Sequence, residues 1–117
     1  PSRGEGFGLC HLDYACQAIP LITTGFGGVS EFLCPGMYSR VEGHFEDAND
    51  GPFRHGRWVV PEVDSIAAAM KNMAANWLQW RPKAHAMSES ARQFTWARSS
   101  ERLKWILETE GLLTPRV

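Results

Sequence analysis

The sequence predicts an α/β domain with few parallel strands, several helices and a helical C-terminal tail. Three observations support this fold class. A glycine-rich segment precedes a helical pattern, an apolar run typical of a buried parallel strand follows it, and the second half of the chain repeats apolar residues at helical spacing. A chain of 117 residues has room for one domain at most. Because a sheet this small would leave its strand edges uncovered, we expect residues 1–117 to be a single partial domain of a longer protein.

The composition is typical of a globular protein, with 44% hydrophobic residues, 21% charged residues and a net charge of −1. It argues against disorder, and the lack of a basic excess argues against a nucleic-acid partner. No apolar run approaches the ~20 residues that span a bilayer, and the chain does not open with a signal peptide. The three cysteines fit no zinc spacing, so we expect buried, reduced thiols in a cytoplasmic protein.

The first predicted helix covers about residues 9 to 18 and ends before Pro20. Its expected apolar face consists of Leu9, Leu12, Cys16 and Ile19. Residues 21–24 form an apolar run that predicts a buried strand of the parallel type. Glycines at 25, 27 and 28 predict a turn, and residues 29–34 a short helix closed by a Pro-Gly pair.

The middle of the chain is less regular. Residues 37–42 could form an extended segment, and we interpret the polar stretch 43–52 as an inserted loop. Residues 57–60 (Arg-Trp-Val-Val) predict a second strand, which Pro61 stops.

Three helices are predicted after residue 61. Asp64 is the expected N-cap of the first, Pro82 suits the first turn of the second, and Thr95 caps the third, which Gly111 ends. The expected inward-facing residues are Ile66, Ala67, Met70, Met73, Ala74, Trp77, Ala84, Met87, Ala91, Phe94, Trp96, Leu103, Ile106 and Leu107. Because most of the five tryptophans lie at such positions, we expect them to pack in the core rather than to stack on sugars.

A candidate binding site lies between Glu5 and Asp13. The backbone amides of Gly6, Phe7, Gly8 and Leu9 stand at a glycine-rich helix start, which favours an anion such as a diphosphate. Two carboxylates, Glu5 and Asp13, flank these amides and could accept hydrogen bonds from sugar hydroxyls. The sequence therefore predicts a corner that binds phosphate and hydroxyl groups.

The same residues resemble the donor-site signature of retaining nucleotide-sugar glycosyltransferases of family 4 (group 1). The resemblance rests on Glu5-Gly6-Phe7-Gly8-Leu9, Asp13, Ala15, Pro20-Leu21-Ile22-Thr23-Thr24 and Gly27-Gly28-Val29-Ser30-Glu31. It is dense over residues 1–34 and loose over 57–110. Members of this family have the GT-B fold, with two Rossmann-like domains, and the resemblance implies that this chain is a segment of the C-terminal, donor-binding domain.

The resemblance also implies an activity, the transfer of a hexose from a nucleoside diphosphate sugar, such as UDP- or GDP-hexose, to a hydroxyl of an acceptor sugar or lipid-linked sugar, with retention. Glu5 is then the catalytic residue beside the donor sugar, and Asp13 stands where the family usually has the Glu that contacts the ribose. No other cofactor and no metal are implied. The acceptor site, and any peripheral membrane contact, would belong to the N-terminal domain, so we expect the segment alone to be inactive.

Other interpretations stay open at this point. A sugar-nucleotide epimerase of GT-B fold would share the ligand, and a non-catalytic module could use its tryptophan-rich helices to bind a partner. Glu5 could merely complement the helix dipole, and Asp13 could be a solvated helix carboxylate. Arg3 could approach a phosphate, although a solvated arginine is the simpler role. Ala18 replaces a family glycine, which is compatible only if its φ is negative.

One polar cluster has residue types that ligate metals, but its spacing matches no known site. It consists of His44, Glu46, Asp47, Asp50 and His55. Since polar loops collect such residues and GT-B enzymes generally need no bound metal, we expect no metal site there.

Overall fold

The structure, a computed structural model, describes residues 2–49 and 56–112. Its elements are α1 (Leu9–Cys16), β1 (Ile22–Thr23), a 3-10 helix (Gly28–Glu31), β2 (Ser39–Arg40), β3 (Gly43–Asp47), β4 (Arg57–Pro61), α2 (Val63–Ala75), α3 (Trp77–Ala91) and α4 (Trp96–Thr109). This mixture of helices with small sheets confirms the broad α/β class. Within the described ranges, no helix has the length and apolar character needed to cross a bilayer.

The first sheet is parallel. In its register Ile22 of β1 faces Ser39 of β2, and Thr23 faces Arg40. Flanking bonds extend the pairing, since the Ser39 amide donates to the Leu21 carbonyl over 2.8 Å and the Val41 amide to the Thr23 carbonyl over 2.9 Å. The predicted parallel strand at 21–24 is thus confirmed, and its partner comes from the segment predicted to be extended.

The second sheet is an antiparallel hairpin of β3 and β4, and it corrects two predictions. Residues 43–47 were predicted to belong to a polar loop, but they pair with β4 from Gly43 opposite Pro61 to Asp47 opposite Arg57. The predicted strand at 57–60 therefore exists but is antiparallel. All five β3 residues are exposed, so the polar composition that suggested a loop reflects a solvated strand instead. Residues 50–52 of the predicted insertion lie outside the described residues.

The segment 2–4 connects the two sheets. The Arg3 carbonyl accepts a hydrogen bond from the Val59 amide of β4 at 2.9 Å. On the other side, the Thr24 hydroxyl, just after β1, donates to the Ser2 carbonyl at 3.3 Å. The residues that lead into the glycine-rich loop are therefore held between the parallel pair and the hairpin.

The main core lies between α1, α3 and the 3-10 helix. Its buried members are Leu12, Ala15, Leu21, Val29, Phe32, Leu33, Met87 and Ala91. As predicted, Ala84, Met87 and Ala91 of α3 face inward and are fully buried. The helix α3 covers α1 and so fixes the helix that follows the glycine-rich loop.

Helix boundaries confirm some predictions and contradict others. The Thr95 side chain accepts from the Arg98 amide at 3.2 Å, so the predicted cap of α4 is confirmed. Asp64 lies inside α2, whose N-cap is Glu62, so the prediction that Asp64 caps this helix is wrong. Pro82 also lies inside a helix, α3, rather than at its start. The break between α2 and α3 occurs at Asn76, whose φ of −116° and ψ of 32° depart from helical values.

Several predicted inward faces are exposed. Helix α4 buries none of its described residues, and Trp96 is 88% exposed. In α2 only Ala69 is buried, while Met70 is exposed. Leu9 of α1 is also exposed. The prediction that the tryptophans pack in the core is therefore wrong for Trp96, and equally for Trp77 and Trp105, which are about half exposed.

Helix α1 ends in a Schellman motif with an unusual residue at its left-handed position. The Ile19 amide donates to the Tyr14 carbonyl and the Ala18 amide to the Ala15 carbonyl, both at 3.0 Å. This geometry places Ala18 at φ 56°, the single positive φ among the described non-glycine residues. The condition of a negative φ, under which an alanine at this position was expected to be compatible with the resemblance, is therefore not met; a glycine would suit the position without strain.

Ala18→Gly is expected to stabilise the protein by about 1 kcal/mol, because a left-handed alanine strains its Cβ against the following carbonyl. Urea unfolding followed by circular dichroism measures the change. Gly111→Ala is the matched control, since Gly111 (φ 68°) occupies the same position at the end of α4. It should change stability in the opposite direction. An Ala18→Gly variant no more stable than wild type would show that the left-handed backbone of Ala18 is not strained.

Candidate functional site

The candidate site is built around the glycine loop, residues 4–8. Its last residue, Gly8, has φ 86° and is the N-cap of α1. The turn at Gly27-Gly28 packs against the loop, and the Gly28 amide donates to the Glu5 carbonyl at 2.9 Å. A Cβ on Gly27 would lie 2.7 Å from the Glu5 carbonyl oxygen, and one on Gly28 would collide with the Gly6 carbonyl. These glycines therefore serve the close contact of two backbone turns.

Gly4 and Gly6 have no such close contact with a described residue at the position of a Cβ. Neither has a positive φ, and a Cβ built on either would meet no described atom within 4 Å. Neither backbone conformation nor packing therefore requires glycine at these two positions. A glycine at such a position allows a ligand to approach the backbone closely.

The amides that the sequence assigned to the site have no acceptor in the described part of the protein, and three of the four belong to residues that reach the surface, since Gly8 is buried. Among the hydrogen bonds of the described residues, the amides of Gly6, Phe7, Gly8 and Leu9 donate to no acceptor. They lie at the N-terminal end of α1, where the helix dipole favours negative charge. The first turn of α1 carries no acidic side chain that would compete for this position.

The two predicted carboxylates lie on either side of Gly8. Glu5 is half-buried and Asp13 is exposed on α1. Within the described part of the chain, neither carboxylate forms a hydrogen bond or an ion pair. Both are thus available as acceptors for a ligand hydroxyl.

The six predicted site residues do not line one common cavity. Gly6 lines a cavity of about 480 Å³ together with Arg3, Gly4, Arg57 and Trp58, which we call the arginine cavity. Three others line a groove of about 340 Å³ against the start of α4, the α4 groove, which includes Phe7, Leu9, Asp13, Trp96 and Ser99. Glu5 and Gly8 line neither of these two. The glycine loop thus lies between two concave surfaces.

Sequence reasoning missed three residues near the loop. His11 lies in the first turn of α1, and its Nε2 is 3.4 Å from the Thr23 hydroxyl of β1. The His11 Nδ1 atom is buried and has no partner among the described residues. Arg57 and Trp58 reach the loop only through the β3–β4 hairpin. The position of His11, three residues after Gly8, could have signalled its proximity, whereas the hairpin residues gave no local signal.

The cysteines do not form disulfides, and the three thiols are free. Cys16 and Cys34 are half-buried, but Cys10 is exposed in the first turn of α1. The expectation of buried thiols is therefore wrong for Cys10.

The polar cluster at 44–47 forms a clamp around His44. Its Nδ1 lies 2.7 Å from a Glu62 carboxylate oxygen, and its Nε2 lies 3.0 Å from Glu46. These contacts join β3 to the start of α2. Among the described residues, no group of three possible ligands is placed to hold a metal ion, and Asp50 and His55 lie outside the described residues. The hydrogen bond that His44 donates to Glu62, and then the one to Glu46, raise the pKa of His44 above 6.5.

His44 should therefore titrate above pH 6.5 in a proton NMR experiment. A pKa raised in the folded state means that the clamp stabilises the fold fully below about pH 6.5 and that this contribution is lost as pH rises through the folded-state pKa. Glu62→Gln should lower the pKa of His44 more than Glu46→Gln does, because Glu62 is the larger cause. Glu89→Gln on α3 is the charge-matched control and should leave the His44 curve unchanged. Coincident curves for wild type and Glu62→Gln would contradict the clamp.

Comparisons with protein-family models, with curated proteins and with solved structures found no match. The glycosyltransferase resemblance therefore stays a prediction carried by the residues of the glycine loop and their neighbours.

Proposed function

We propose that this chain binds a nucleoside diphosphate sugar as the donor-site segment of a retaining GT-B glycosyltransferase. The observation that carries the proposal is the glycine loop itself. The amides of residues 6–8, and of Leu9 at the start of α1, donate to no described acceptor, stand at a helix N-terminus and lie between two unpaired carboxylates. An anionic group with neighbouring hydroxyls fits this combination of donors and acceptors.

Each residue has a defined role in this proposal. The amides of Gly6, Phe7, Gly8 and Leu9 hold the diphosphate and stabilise the charge that grows on it as the bond to the sugar breaks. Glu5 accepts hydrogen bonds from hexose hydroxyls and orients the sugar for transfer. Asp13, one turn further along α1, accepts from the ribose diol, directly or through one water because its side chain is a methylene shorter than glutamate.

The glycines without a structural role support the same assignment. Gly4 and Gly6 have unstrained backbones and open space at the Cβ position. Residues that the fold leaves unexplained at a loop are candidates for direct ligand contact. A phosphate or sugar that approaches the backbone here would exclude a Cβ.

The complete reaction is part of the proposal. A hexose passes from the donor to a hydroxyl of an acceptor sugar or lipid-linked sugar with retention of configuration, in the cytoplasm and in a longer chain that supplies the acceptor site. UDP- and GDP-hexoses are the leading donor classes.

The test separates the two carboxylates by calorimetric titration of the 117-residue chain with UDP, GDP and ADP and with the matching hexose donors. Glu5→Gln should weaken binding of the hexose donor about tenfold, which corresponds to the loss of one charge-assisted hydrogen bond. Binding of the nucleoside diphosphate without the sugar should be unaffected, because Glu5 contacts the sugar. Asp13→Ala should weaken binding of the hexose donor and of the nucleoside diphosphate to a similar degree, since both ligands carry the ribose.

Asp64→Asn, an exposed first-turn carboxylate of α2, is the control for the loss of a helix charge and should bind like wild type. Equal donor affinity for wild type, Glu5→Gln and Asp13→Ala would contradict the assigned roles.

A second candidate function, a non-catalytic interaction module, is favoured by the exposed apolar side chains of the last two helices. Trp96, Leu103 and Trp105 are each more than half exposed. In that case the chain should associate with protein partners or with itself without nucleotide. Sedimentation velocity over a range of concentrations distinguishes this function from donor binding.

A further inference from the structure

The arginine cavity brings together parts of the chain that are distant in sequence. Its walls include Arg3, Gly4 and Gly6 from the N-terminal segment and Arg57 and Trp58 from β4. The bond from the Val59 amide to the Arg3 carbonyl, at 2.9 Å, fixes the hairpin beside the loop. The cavity measures about 480 Å³, which lies within the range of small-ligand sites.

Both guanidinium groups of the cavity are held by aromatic rings. The Arg3 guanidinium lies 5.1 Å from the centre of the Trp58 ring, and that of Arg57 lies 5.0 Å from the centre of the Phe45 ring. Contact with a ring leaves the in-plane N–H groups of arginine free to donate. Each arginine therefore has a ring contact beside the cavity and keeps its donors available.

The charge around the cavity is positive. Arg3 forms no ion pair with any described residue, and the described residues that line the cavity include no carboxylate. Arg57 has one acidic neighbour, Asp47, at 4.0 Å. Both side chains of that pair are largely exposed, so it is weak and can exchange for a better acceptor. The unpaired amide of Gly6 adds a further donor to the same wall.

We propose that the arginine cavity binds a phosphoryl group, with Arg3 and Arg57 as its cationic ligands and the Gly6 amide as a further donor. Planar guanidinium groups suit phosphate oxygens because they donate in pairs. This assignment goes beyond the proposed function, since it makes the β3–β4 hairpin part of a binding site. The phosphoryl group belongs either to a nucleoside diphosphate or to a separate phosphorylated molecule.

Calorimetric titration of the whole chain at low ionic strength, with pyrophosphate, inorganic phosphate and UDP as probes, tests the proposal. Arg3→Gln and Arg57→Gln should each weaken pyrophosphate binding about tenfold, as expected for the loss of one charge-assisted pair. Asp47→Asn should strengthen it, because the variant removes the carboxylate that competes for Arg57. Arg81→Gln, an exposed arginine of α3, is the control and should leave the affinity within twofold.

The outcomes separate this proposal from the proposed function. Arginine-dependent binding of pyrophosphate and UDP alike assigns the cavity to a nucleoside diphosphate. Arginine-dependent binding of pyrophosphate or phosphate, with UDP binding unaffected, assigns it to a separate phosphorylated molecule; both results support the site. Donor binding that depends on Glu5 and Asp13, together with pyrophosphate and phosphate binding that depends on neither arginine, overturns the cavity site and leaves the proposed function intact. Equal pyrophosphate affinity for wild type, both arginine variants and Asp47→Asn overturns it as well.

Discussion

Gly28→Ala is expected to destabilise the protein by about 3 kcal/mol, the upper range for forcing an added methyl group into a packed site. The added Cβ would overlap the Gly6 carbonyl and lie 2.5 Å from the Phe7 Cα, and both are backbone atoms. Backbone atoms cannot rotate away as a side chain can. The 2.9 Å bond between the Gly28 amide and the Glu5 carbonyl would be lost or stretched, and the glycine loop would move.

Urea unfolding followed by tryptophan fluorescence measures this effect, and Gly4→Ala is the matched control. A Cβ on Gly4 meets nothing within 4 Å, so the free energy of unfolding of Gly4→Ala should stay within about 0.5 kcal/mol of the wild-type value. If Gly28→Ala proved as stable as Gly4→Ala, the two turns would not be packed as the structure places them.

Gly6→Ala is expected to leave the fold intact and to lower nucleotide affinity about tenfold, because the proposal places the ligand against this backbone. The new methyl group meets no described atom within 4 Å, so the protein itself gives no reason for a loss of stability. It would occupy the space where the proposal places the diphosphate. Calorimetry with UDP and urea unfolding on the same preparation measure the two effects.

Gly36→Ala serves as a control for adding a methyl group at an exposed glycine, since its Cβ also meets open space. It should cost some stability because Gly36 has φ 82°, but it should not change affinity. Unchanged UDP affinity in Gly6→Ala would remove the ligand-based explanation for this glycine.

Much of the first third of the fold, and the start of the last helix, could be predicted from the sequence, because the signals there are local. Pro20 and the apolar run that follows it mark the end of α1 and the start of β1, and Thr95 marks the start of α4. Ala18 does not follow the expectation, since its φ is positive at 56° where a negative φ was expected. Its Schellman hydrogen bonds outweigh the strain of a single alanine.

In each wrong prediction, contacts with distant parts of the chain determined the local structure. The stretch that begins at Gly43 is polar enough to be a loop, yet the pairing of β3 with β4 over five residues makes it a strand. Pro82 was expected to start a helix, but α3 already begins at Trp77, and Met87 and Ala91 anchor its second half in the core. A proline in a helix interior costs about 3 kcal/mol, which burial of this apolar face offsets.

The candidate site also has one part that could be predicted from the sequence and one part that could not. The availability of the loop amides was predictable, since it follows from a glycine-rich helix start. The arginine cavity was not, because Arg57 and Trp58 lie more than forty positions from the loop and reach it only through the pairing of Val59 with Arg3.

The most direct test of the central claim is calorimetric titration of the wild-type chain with UDP, GDP and ADP, once circular dichroism has shown that the chain is folded. Saturable binding of one diphosphate, weakened by Asp13→Ala and by Gly6→Ala, is the result that the donor-site proposal predicts. A folded chain that binds none of the three nucleotides, or binds them equally well in both variants, would contradict it.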